Sequence, residues 1–208
     1  MKIVCTGGPG GGKSTACDLM RREFGSKVFL VPEAATLLFG GGFPRVMDNA
    51  DARRATQRAL FHLQLALEQI YATLFPTRIL LCDRGTLDGF AYWPDGDDFW
   101  TAMGTTREAE LARYDGVLFF ESAAQSSLSI NASMMEGGNV CRIEDQSSAR
   151  TLDDRLRALY ELHPNFHVVP STKSFLQKVQ RGVDAGESAN RVRVPSDLLS
   201  LTIAQPGR

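Results

Sequence analysis

A glycine-rich stretch near the start of the chain, GGPGGGKST at residues 7–15, limits the folds that this sequence can adopt. It follows the β-branched apolar run KIVCT and precedes STACDLMRREFG, whose apolar residues recur at helical spacing before a glycine. A flexible linker is the simplest alternative, but a linker is not framed by a strand and a helix. The spacing instead fits G-x-x-x-x-G-K-[ST], the phosphate-binding P-loop.

Each residue type in this stretch has a physical role in binding phosphate. Glycines let successive backbone N–H groups converge on phosphate oxygens, and the following helix adds the positive end of its dipole. Lys13 supplies a charge for the β- and γ-phosphates, the Ser14 hydroxyl is placed to bind Mg²⁺, and Thr15 is expected mainly to start the helix. The predicted nucleotide-binding residues are Gly7, Gly8, Pro9, Gly10, Gly11, Gly12, Lys13, Ser14 and Thr15.

Size and composition indicate one globular domain. The chain has 208 residues, of which 43% are hydrophobic and 23% charged, which is enough for one well-buried core. The net charge of −1 gives no overall attraction for nucleic acid, and no apolar segment approaches the length of a membrane span. Because the sequence opens directly on a strand, with no leader or cleavage site, we expect a cytoplasmic protein.

The four cysteines of the chain are widely spaced and lack the pairing of a metal site. Cys5, Cys17 and Cys82 fall in predicted strands or a helix, and Cys141 lies in a later segment. We therefore expect the cysteines to act as small buried hydrophobic residues in a reducing cytosol.

Strand-like and helix-like segments alternate along the chain. The five predicted strands are KIVCT, the start of KVFLVPEAA, RILLCDRG, DGVLFFES and FHVVPS. Helices are predicted over residues 51–75, about 97–113 and about 144–162, with a short one in TLLFGGGFPR and another in TKSFLQKVQRG. This alternation predicts an α/β fold, namely a P-loop NTPase three-layer sandwich with a five-stranded parallel sheet.

The helical patterns also predict which residues face the core. The 51–75 and 144–162 helices each carry one apolar stripe at helical spacing. The expected core residues are Leu60, Leu63, Leu67, Ile70 and Leu74 on the first, and Leu152, Leu156, Leu159 and Leu162 on the second.

The expected domain organisation is a single P-loop domain over residues 1–186, followed by a loosely ordered tail over 187–208. Residues 122–139 are rich in Ser, Asn, Met and Gly with weak periodicity, which predicts a mobile lid within about 122–150.

Charged residues follow two of the predicted strands at the sheet edge where ligands bind in α/β folds. Asp83 closes the run ILLC, where a Walker-B aspartate would hold Mg²⁺ directly or through water. The alternative is that Asp83 caps the next helix, a role that Thr86 could also have. Arg84 would face the phosphates or an acceptor, or else lie on the surface. Glu33 would hold an acceptor hydroxyl or accept its proton, or else favour the dipole of the next helix.

Arginines near the predicted lid are further candidates. Arg142, in GGNVCRIE, would enter the site on a closing flap, and Arg150 and Arg155 lie beyond it. Exposed i,i+4 pairs with acidic neighbours are the alternative for all three.

Histidines and tryptophans give weaker signals. His62, His163 and His167 lack metal-ligand spacing, so structural roles are expected. Trp93 and Trp100 would line a base or substrate pocket, or else pack beneath a long loop.

Five segments together resemble a known family: IVCTGGPGGGKST, VPEAA, CDRGTLDGFAY, CRIEDQSSARTLDDRLRALYELHP and FHVVPSTKSFLQKV. They resemble small AAA P-loop ATPases related to the nicotinamide riboside kinase domains of bacterial NAD regulators, over about residues 2–180. VPE and DRG are also similar to deoxynucleoside and thymidylate kinases, where the glutamate serves the acceptor hydroxyl and the D-R pair serves phosphate and metal.

The resemblance implies a nucleotide-kinase-like core with a flexible lid, and it adds weight to Glu33, Asp83, Arg84 and Arg142. Two features depart from that pattern. Gly85 stands where many nucleoside kinases have serine or another polar residue, and the lid lacks their arginine-rich run.

Two functions are consistent with these residues. The first is an Mg²⁺-dependent phosphotransferase that uses ATP, with GTP as an alternative, on a small hydroxyl-bearing acceptor such as a nucleoside, nucleotide or riboside. The second is a nucleotide-binding switch with slow hydrolysis, in which the triphosphate orders the lid for a protein or lipid partner. The candidate catalytic residues are Lys13, Glu33, Asp83, Arg84 and Arg142, and the candidate metal ligands are Ser14 and Asp83.

Overall fold

The structure is a computed structural model that describes residues 1–46, 48–94, 98–122 and 146–170. Its strands are β1 Lys2–Thr6, β2 Val28–Val31, β3 Ile79–Asp83, β4 Gly116–Phe120 and β5 Phe166–Val169. Its helices are α1 Lys13–Phe24, α2 Ala34–Gly40, α3 Ala50–Leu74, α4 Asp88–Ala91, α5 Phe99–Met103, α6 Arg107–Leu111 and α7 Gln146–Tyr160. All five predicted strands are present.

The strands form one parallel sheet in the order β2-β3-β1-β4-β5. β1 is the central strand, so the glycine-rich loop leaves from the middle of the sheet. Its register with β3 places Cys5 opposite Asp83, and the register of β2 with β3 places Val31 opposite Cys82. The carboxyl ends of these three strands therefore meet beside the loop.

Helices cover both faces of the sheet. On one face, Cys5 and Leu81 pack against Ala16 and Met20 of α1. On the other, the strands pack against helices that include α6 and α7, with Leu156 fully buried. Every residue of β3 is buried, as expected for a strand covered on both faces. The predicted three-layer α/β fold is confirmed.

The helix predicted over residues 97–113 is wrong, because two short helices occupy the described part of that region. Gly104 ends α5 in the left-handed conformation, with φ 67°. Thr106 then caps α6, since its hydroxyl accepts a hydrogen bond from the Ala109 N–H at 3.1 Å. A glycine C-cap at residue 104 and a threonine N-cap two residues later end one helix and begin the next.

The predicted apolar stripe of α3 is also partly wrong. Ile70 and Leu74 are 51% and 63% exposed, whereas the buried residues of the helix are Phe61, Gln64 and Glu68. Tertiary partners make the buried polar residues tolerable, as described below for Gln64.

Glu68 is fully buried, and its carboxylate accepts from Lys2 Nζ at 2.8 Å, Arg113 Nη2 at 3.0 Å and the Tyr114 hydroxyl at 2.8 Å. On α7, Leu162 was also expected in the core but is 67% exposed, because the helix ends at Tyr160.

Cys5, Cys17 and Cys82 are buried free thiols, as predicted. Several predictions fall outside the described residues: Arg142, Cys141, nearly all of the lid, the helix in TKSFLQKVQRG and the 187–208 tail. No helix in the described part of the chain is both long and apolar enough to cross a membrane.

Candidate active site

The glycine-rich loop folds around the carboxyl end of β4. Gly7 has φ 131°, and a Cβ at this position would collide with the Phe120 carbonyl oxygen. A Cβ on Gly11 would lie 2.9 Å from the same oxygen. Gly12 starts α1 in the left-handed conformation, with φ 77°, and no side chain caps the helix. The loop therefore needs glycine for its path, and it leads into a helix start that is suited to bind an anion.

Lys13 lies folded across this loop. Its side chain is buried, and its Nζ donates a hydrogen bond to the Gly8 carbonyl at 2.6 Å. Ser14 and Thr15 follow in the first turn of α1 and are exposed. A positive charge inside the loop and a hydroxyl at its rim have the arrangement expected of a P-loop.

Asp83 ends β3 next to the loop and is buried. Burial, followed by the nearby Glu33 carboxylate, raises the pKa of Asp83, while a hydrogen bond from Ser14 and the charges of Lys13 and Arg84 oppose that rise. Asp83 Oδ1 has no hydrogen-bond partner among the described residues. A buried carboxylate oxygen without a donor, next to a serine hydroxyl, fits a divalent cation such as Mg²⁺.

The capping role considered for Asp83 is not observed. Leu87 precedes α4, and that helix has no side-chain cap. The Thr86 hydroxyl donates instead to the Glu110 carboxylate at 2.7 Å. This leaves Asp83 available for a ligand.

Glu33 and Arg84 form an ion pair at the carboxyl ends of β2 and β3. Arg84 Nε lies 2.7 Å from Glu33 Oε1, and each of the two side chains is only 12% exposed. The Thr36 hydroxyl donates to Glu33 Oε2 at 2.5 Å. Glu33 is the residue before α2 but makes no side-chain cap, and Arg84 is not a surface arginine. The surface alternative for Arg84 is therefore wrong, whereas Glu33, directly before α2, can favour the helix dipole while it pairs with Arg84.

Arg84 is held in an unusual backbone conformation. Its φ of 74° is left-handed, a conformation that costs about 1–3 kcal/mol for a residue other than glycine. The Arg84 N–H donates to the Cys5 carbonyl at 3.0 Å, and Gln64 Nε2 donates to the Arg84 carbonyl at 3.2 Å. This explains the buried glutamine of α3, which helps to fix the backbone at Arg84.

Asp88 secures the other side of the Arg84 guanidinium, and sequence reasoning missed it. Asp88 Oδ2 accepts from Arg84 Nη1 at 2.9 Å, and Asp88 Oδ1 accepts from the Thr6 hydroxyl at 3.0 Å and the Tyr160 hydroxyl at 2.8 Å. Helical spacing gave no signal for this pair, because Arg84 lies before α4, which begins at Asp88.

Gly85 lies against the same network. A Cβ on Gly85 would lie 2.8 Å from Val4 Cγ2 and 2.9 Å from the Tyr114 hydroxyl. The glycine that departs from the nucleoside-kinase pattern at this position is therefore explained by packing, because no side chain fits there.

A cavity of about 150 Å³ opens beside the loop and the Glu33–Arg84 pair. Its walls come from the P-loop, α2, the α2–α3 connection, α3 and the segment after β3. The lining includes Pro9, Glu33, Ala34, Phe39, Arg45, Arg53, Gln57, Leu60, Phe61, Gln64, Arg84, Asp88 and Tyr92. Carboxylate and guanidinium groups together with aromatic side chains in one lining suit a small molecule with a ring and a polar group.

Asp153 of α7 also contacts the P-loop and was not predicted. Its side chain is buried, with Oδ1 accepting from the Gly8 N–H at 2.6 Å and Oδ2 from the Ser122 N–H at 3.2 Å. It joins the P-loop to α7 and to the second residue after β4. No local signal in the sequence identifies this contact, because 145 positions separate Asp153 from Gly8.

The remaining candidates lie outside the site or act in packing. Trp93 and Trp100 contact Phe99 in an aromatic cluster, and neither lines the cavity. Both ring nitrogens of His163 bind backbone groups, those of Tyr114 and Asn165, so its role is structural, as predicted. Among the described residues, no cluster of three or more His, Cys, Asp and Glu side chains is arranged to hold a metal.

A family model described as "AAA domain" (AAA_28) matches residues 2–176. The fold is similar to deoxyadenosine kinase from M. mycoides with bound dATP, with a TM-score of 0.61 and 16% identity, covering 90% of this chain and 100% of that one. It is also similar to thymidylate kinase from Ehrlichia chaffeensis, with a TM-score of 0.57 and 16% identity, covering 90% and 98%. None of the curated proteins matches the chain. At this identity, the likeness shows a fold of the nucleoside- and nucleotide-kinase type.

Proposed function

We propose that this chain, which belongs to the AAA domain family, is an Mg²⁺-dependent phosphotransferase that transfers the γ-phosphoryl group of ATP to a small hydroxyl-bearing acceptor. GTP is the alternative donor. The fold of nucleoside and nucleotide kinases supports this proposal, as does the P-loop at the centre of the sheet.

One observation carries the proposal: the cavity is bounded by the P-loop residue Pro9 on one side and by Glu33 and Arg84 on another. A hydrolase or a switch needs space for a triphosphate and water. A phosphotransferase also needs an acceptor site that opens toward the phosphates, next to a group that takes up the hydroxyl proton. The lining supports the proposal, because it includes both Pro9 of the P-loop and the Glu33 carboxylate.

The P-loop residues would hold the donor. Lys13 and the backbone amides of the loop would bind the β- and γ-phosphates, and Ser14 and Asp83 would hold Mg²⁺. When bound, the ion supplies positive charge that neutralises the phosphate oxygens. Lys13 already lies inside the loop on the Gly8 carbonyl, so a small displacement of Nζ would bring its charge to the phosphates.

Glu33 and Arg84 would act on the acceptor. The acceptor oxygen forms a bond to the γ-phosphorus while the bond from that phosphorus to the β,γ-bridging oxygen breaks. The nucleoside diphosphate is the leaving group. Glu33 accepts the hydroxyl proton, and Arg84 holds the Glu33 carboxylate in place through Nε and places positive charge near the transferring group. The rate would come mainly from position and charge stabilisation.

A nucleotide-binding switch is the second candidate, and Asp153 is the observation that favours it. Asp153 links the P-loop to the start of the segment after β4 and to α7. A triphosphate that moved the P-loop would therefore also move α7. Such a coupling would pass the state of the nucleotide to a partner.

A consumption assay separates the two functions. ATP and GTP turnover is measured with a panel of nucleosides, ribosides and nucleotides, beside the Lys13→Ala variant. Turnover that rises at least about tenfold with one acceptor and is lost in Lys13→Ala supports the phosphotransferase. Tight triphosphate binding with no stimulation by any acceptor contradicts it and supports the switch.

A further inference from the structure

The lining of the cavity contains two arginines besides Arg84, namely Arg45 and Arg53. The guanidinium carbon of Arg45 lies 4.7 Å from the centre of the Phe39 ring, and Arg53 Nη2 donates to the Tyr92 carbonyl at 3.1 Å. Neither Arg45 nor Arg53 forms an ion pair with any residue that the structure describes. Both charges therefore face the cavity or its mouth without a neighbouring carboxylate.

The lining around Arg84 has the reverse balance of charge. Glu33 and Asp88 both pair with a single cation, Arg84. Carboxylates therefore outnumber guanidinium groups in this part of the lining, whereas Arg45 and Arg53 form a part that has guanidinium groups and no carboxylate paired to them among the described residues. A ligand that matches both parts has a hydrogen-bond donor near Glu33 and an anionic group near Arg45 and Arg53.

Helix geometry gives the spacing of these residues along α2 and α3. Phe39 lies six residues after Glu33 along α2, which is about 9 Å at the rise of an α-helix. On α3, Gln64, which binds the Arg84 carbonyl, lies eleven residues after Arg53, or about 16 Å. An acceptor whose hydroxyl lies at Glu33 thus reaches the arginines only with the end of the molecule opposite to that hydroxyl.

The apolar part of the lining suits a ring. Phe39, Leu60, Phe61 and Tyr92 line the cavity, and Gln57 adds a side-chain amide. Flat apolar walls bury a planar ring, and an amide beside them binds its polar edge.

We infer that the acceptor is an acid: a ring compound with a free hydroxyl at one end and an oxyanion, carboxylate or phosphate, at the other, where Arg45 and Arg53 bind it. The inference rests on the proposed function and narrows its acceptor class. Guanidinium groups bind carboxylate and phosphate through paired N–H donors. A ligand with an ammonium or a neutral group in place of the oxyanion cannot accept this pair of charged hydrogen bonds. Arg45 is exposed and Arg53 partly buried, so Arg53 should contribute more to the affinity.

Equilibrium binding tests the inference without any need for turnover. Calorimetry on the full chain, without triphosphate, compares two pairs of probes: a riboside with a ring carboxamide against the same riboside with a ring carboxylate, and a riboside with a hydroxyl on its ring against the same riboside with that ring hydroxyl phosphorylated. The Kd of each acid should be at least about tenfold lower than that of its neutral partner, because only the acid forms the charged hydrogen bonds. The carboxylate and phosphate pairs show which oxyanion the site prefers.

Variants assign the preference to the two arginines. Arg53→Gln should reduce the acid preference about tenfold, Arg45→Gln should reduce it about threefold, and Arg53→Lys should keep part of it. Arg58→Gln, an exposed arginine of α3 that does not line the cavity, is the matched control and should leave it unchanged. Higher salt should weaken the acid preference but not the binding of the neutral probes.

The inference is overturned if acid and neutral probes bind equally, if the preference survives both glutamine variants, or if no acid binds at millimolar concentration. A turnover assay with the same compounds keeps the two proposals apart. An acid that binds through Arg45 and Arg53 but never accepts phosphate supports the anion site and contradicts the phosphotransferase.

Discussion

Glu33 and Arg84 lie 51 positions apart in the sequence, yet their side chains meet at 2.7 Å. The register of the sheet explains the contact. Val31 of β2 lies opposite Cys82 of β3, and each of the two charged residues comes two positions later. Their meeting point is therefore set by strand pairing. The nearly buried pair lines the same cavity as Pro9 of the P-loop, which is the cavity that we propose for the acceptor.

Glu33→Gln should abolish phosphoryl transfer while sparing the binding of triphosphate. The amide keeps an oxygen that accepts from Arg84 but cannot take up a proton. We expect kcat to fall by about 10²–10⁴, the usual contribution of a general base. Steady-state kinetics with the best acceptor and calorimetry with ATP measure the two effects.

The exposed Glu23 of α1 offers a matched control for this prediction, since Glu23→Gln makes the same chemical change away from the cavity. A Glu33→Gln enzyme with normal kcat would remove Glu33 from the mechanism and favour the switch.

Asp83→Asn should stabilise the protein in the absence of metal and remove its response to Mg²⁺. Burial raises the pKa of Asp83 from its ordinary value of 3.8, so folding disfavours the ionised carboxylate. The folded state thus loses stability as the pH rises from 3.8 through the raised pKa, and the asparagine variant escapes this loss.

Melting curves check this prediction. They are measured at about four pH values between pH 4 and pH 8, with and without Mg²⁺ and ATP. The difference in Tm between variant and wild type should grow with pH. Added Mg²⁺ should raise the Tm of ATP-bound wild type only, because the ion binds the ionised carboxylate. A variant that melts below wild type at every pH would show that Asp83 is a structural partner and not a metal ligand.

The sequence alone is enough to predict the sheet and three residues of the site. The P-loop pattern and the unbroken apolar run of β3 are local signals, and parallel strands place their carboxyl ends at one edge. Glu33, Asp83 and Arg84 could therefore be expected near the loop before any contact was known. The structure brings Asp83 and Arg84 together with Glu33 as that reasoning predicted.

The residues that sequence reasoning missed depend on contacts between distant segments. Glu68 looks like a surface residue of an amphipathic helix, but Lys2 and Arg113 reach it from other elements and make its burial possible. The same reason explains why the stripe through Ile70 was wrong. Periodicity ranks residues by their own polarity and contains no information about partners elsewhere in the chain.

Gly85→Ala should destabilise the fold and disturb the site. A methyl group at this position meets Val4 and the hydroxyls of Tyr114 and Tyr160, so these side chains must move. We expect a loss of about 1–3 kcal/mol, the usual cost of overpacking a core. Denaturant unfolding measures it. Gly40→Ala, at the end of α2 with no atom within 4 Å of the new Cβ, is the control and should be neutral or slightly stabilising.

Asp153 should position the P-loop, and two substitutions at this residue separate position from charge. Asp153→Ala leaves the N–H groups of Gly8 and Ser122 without their acceptor, at a cost of about 1–3 kcal/mol for each buried group. Asp153→Asn removes the charge but keeps one acceptor oxygen. If position dominates, the affinity for triphosphate falls from wild type to asparagine to alanine, by about tenfold overall.

If instead the negative charge near the phosphates dominates, both variants should bind triphosphate more tightly than wild type, with asparagine the tighter of the two. We expect the first order, because Gly8 holds Asp153 through its N–H and Lys13 through its carbonyl, so releasing one side of the peptide disturbs the other. Calorimetry with ATP gives the order directly. Asp154→Ala removes an exposed carboxylate from the next position of α7 and should leave the affinity for triphosphate unchanged.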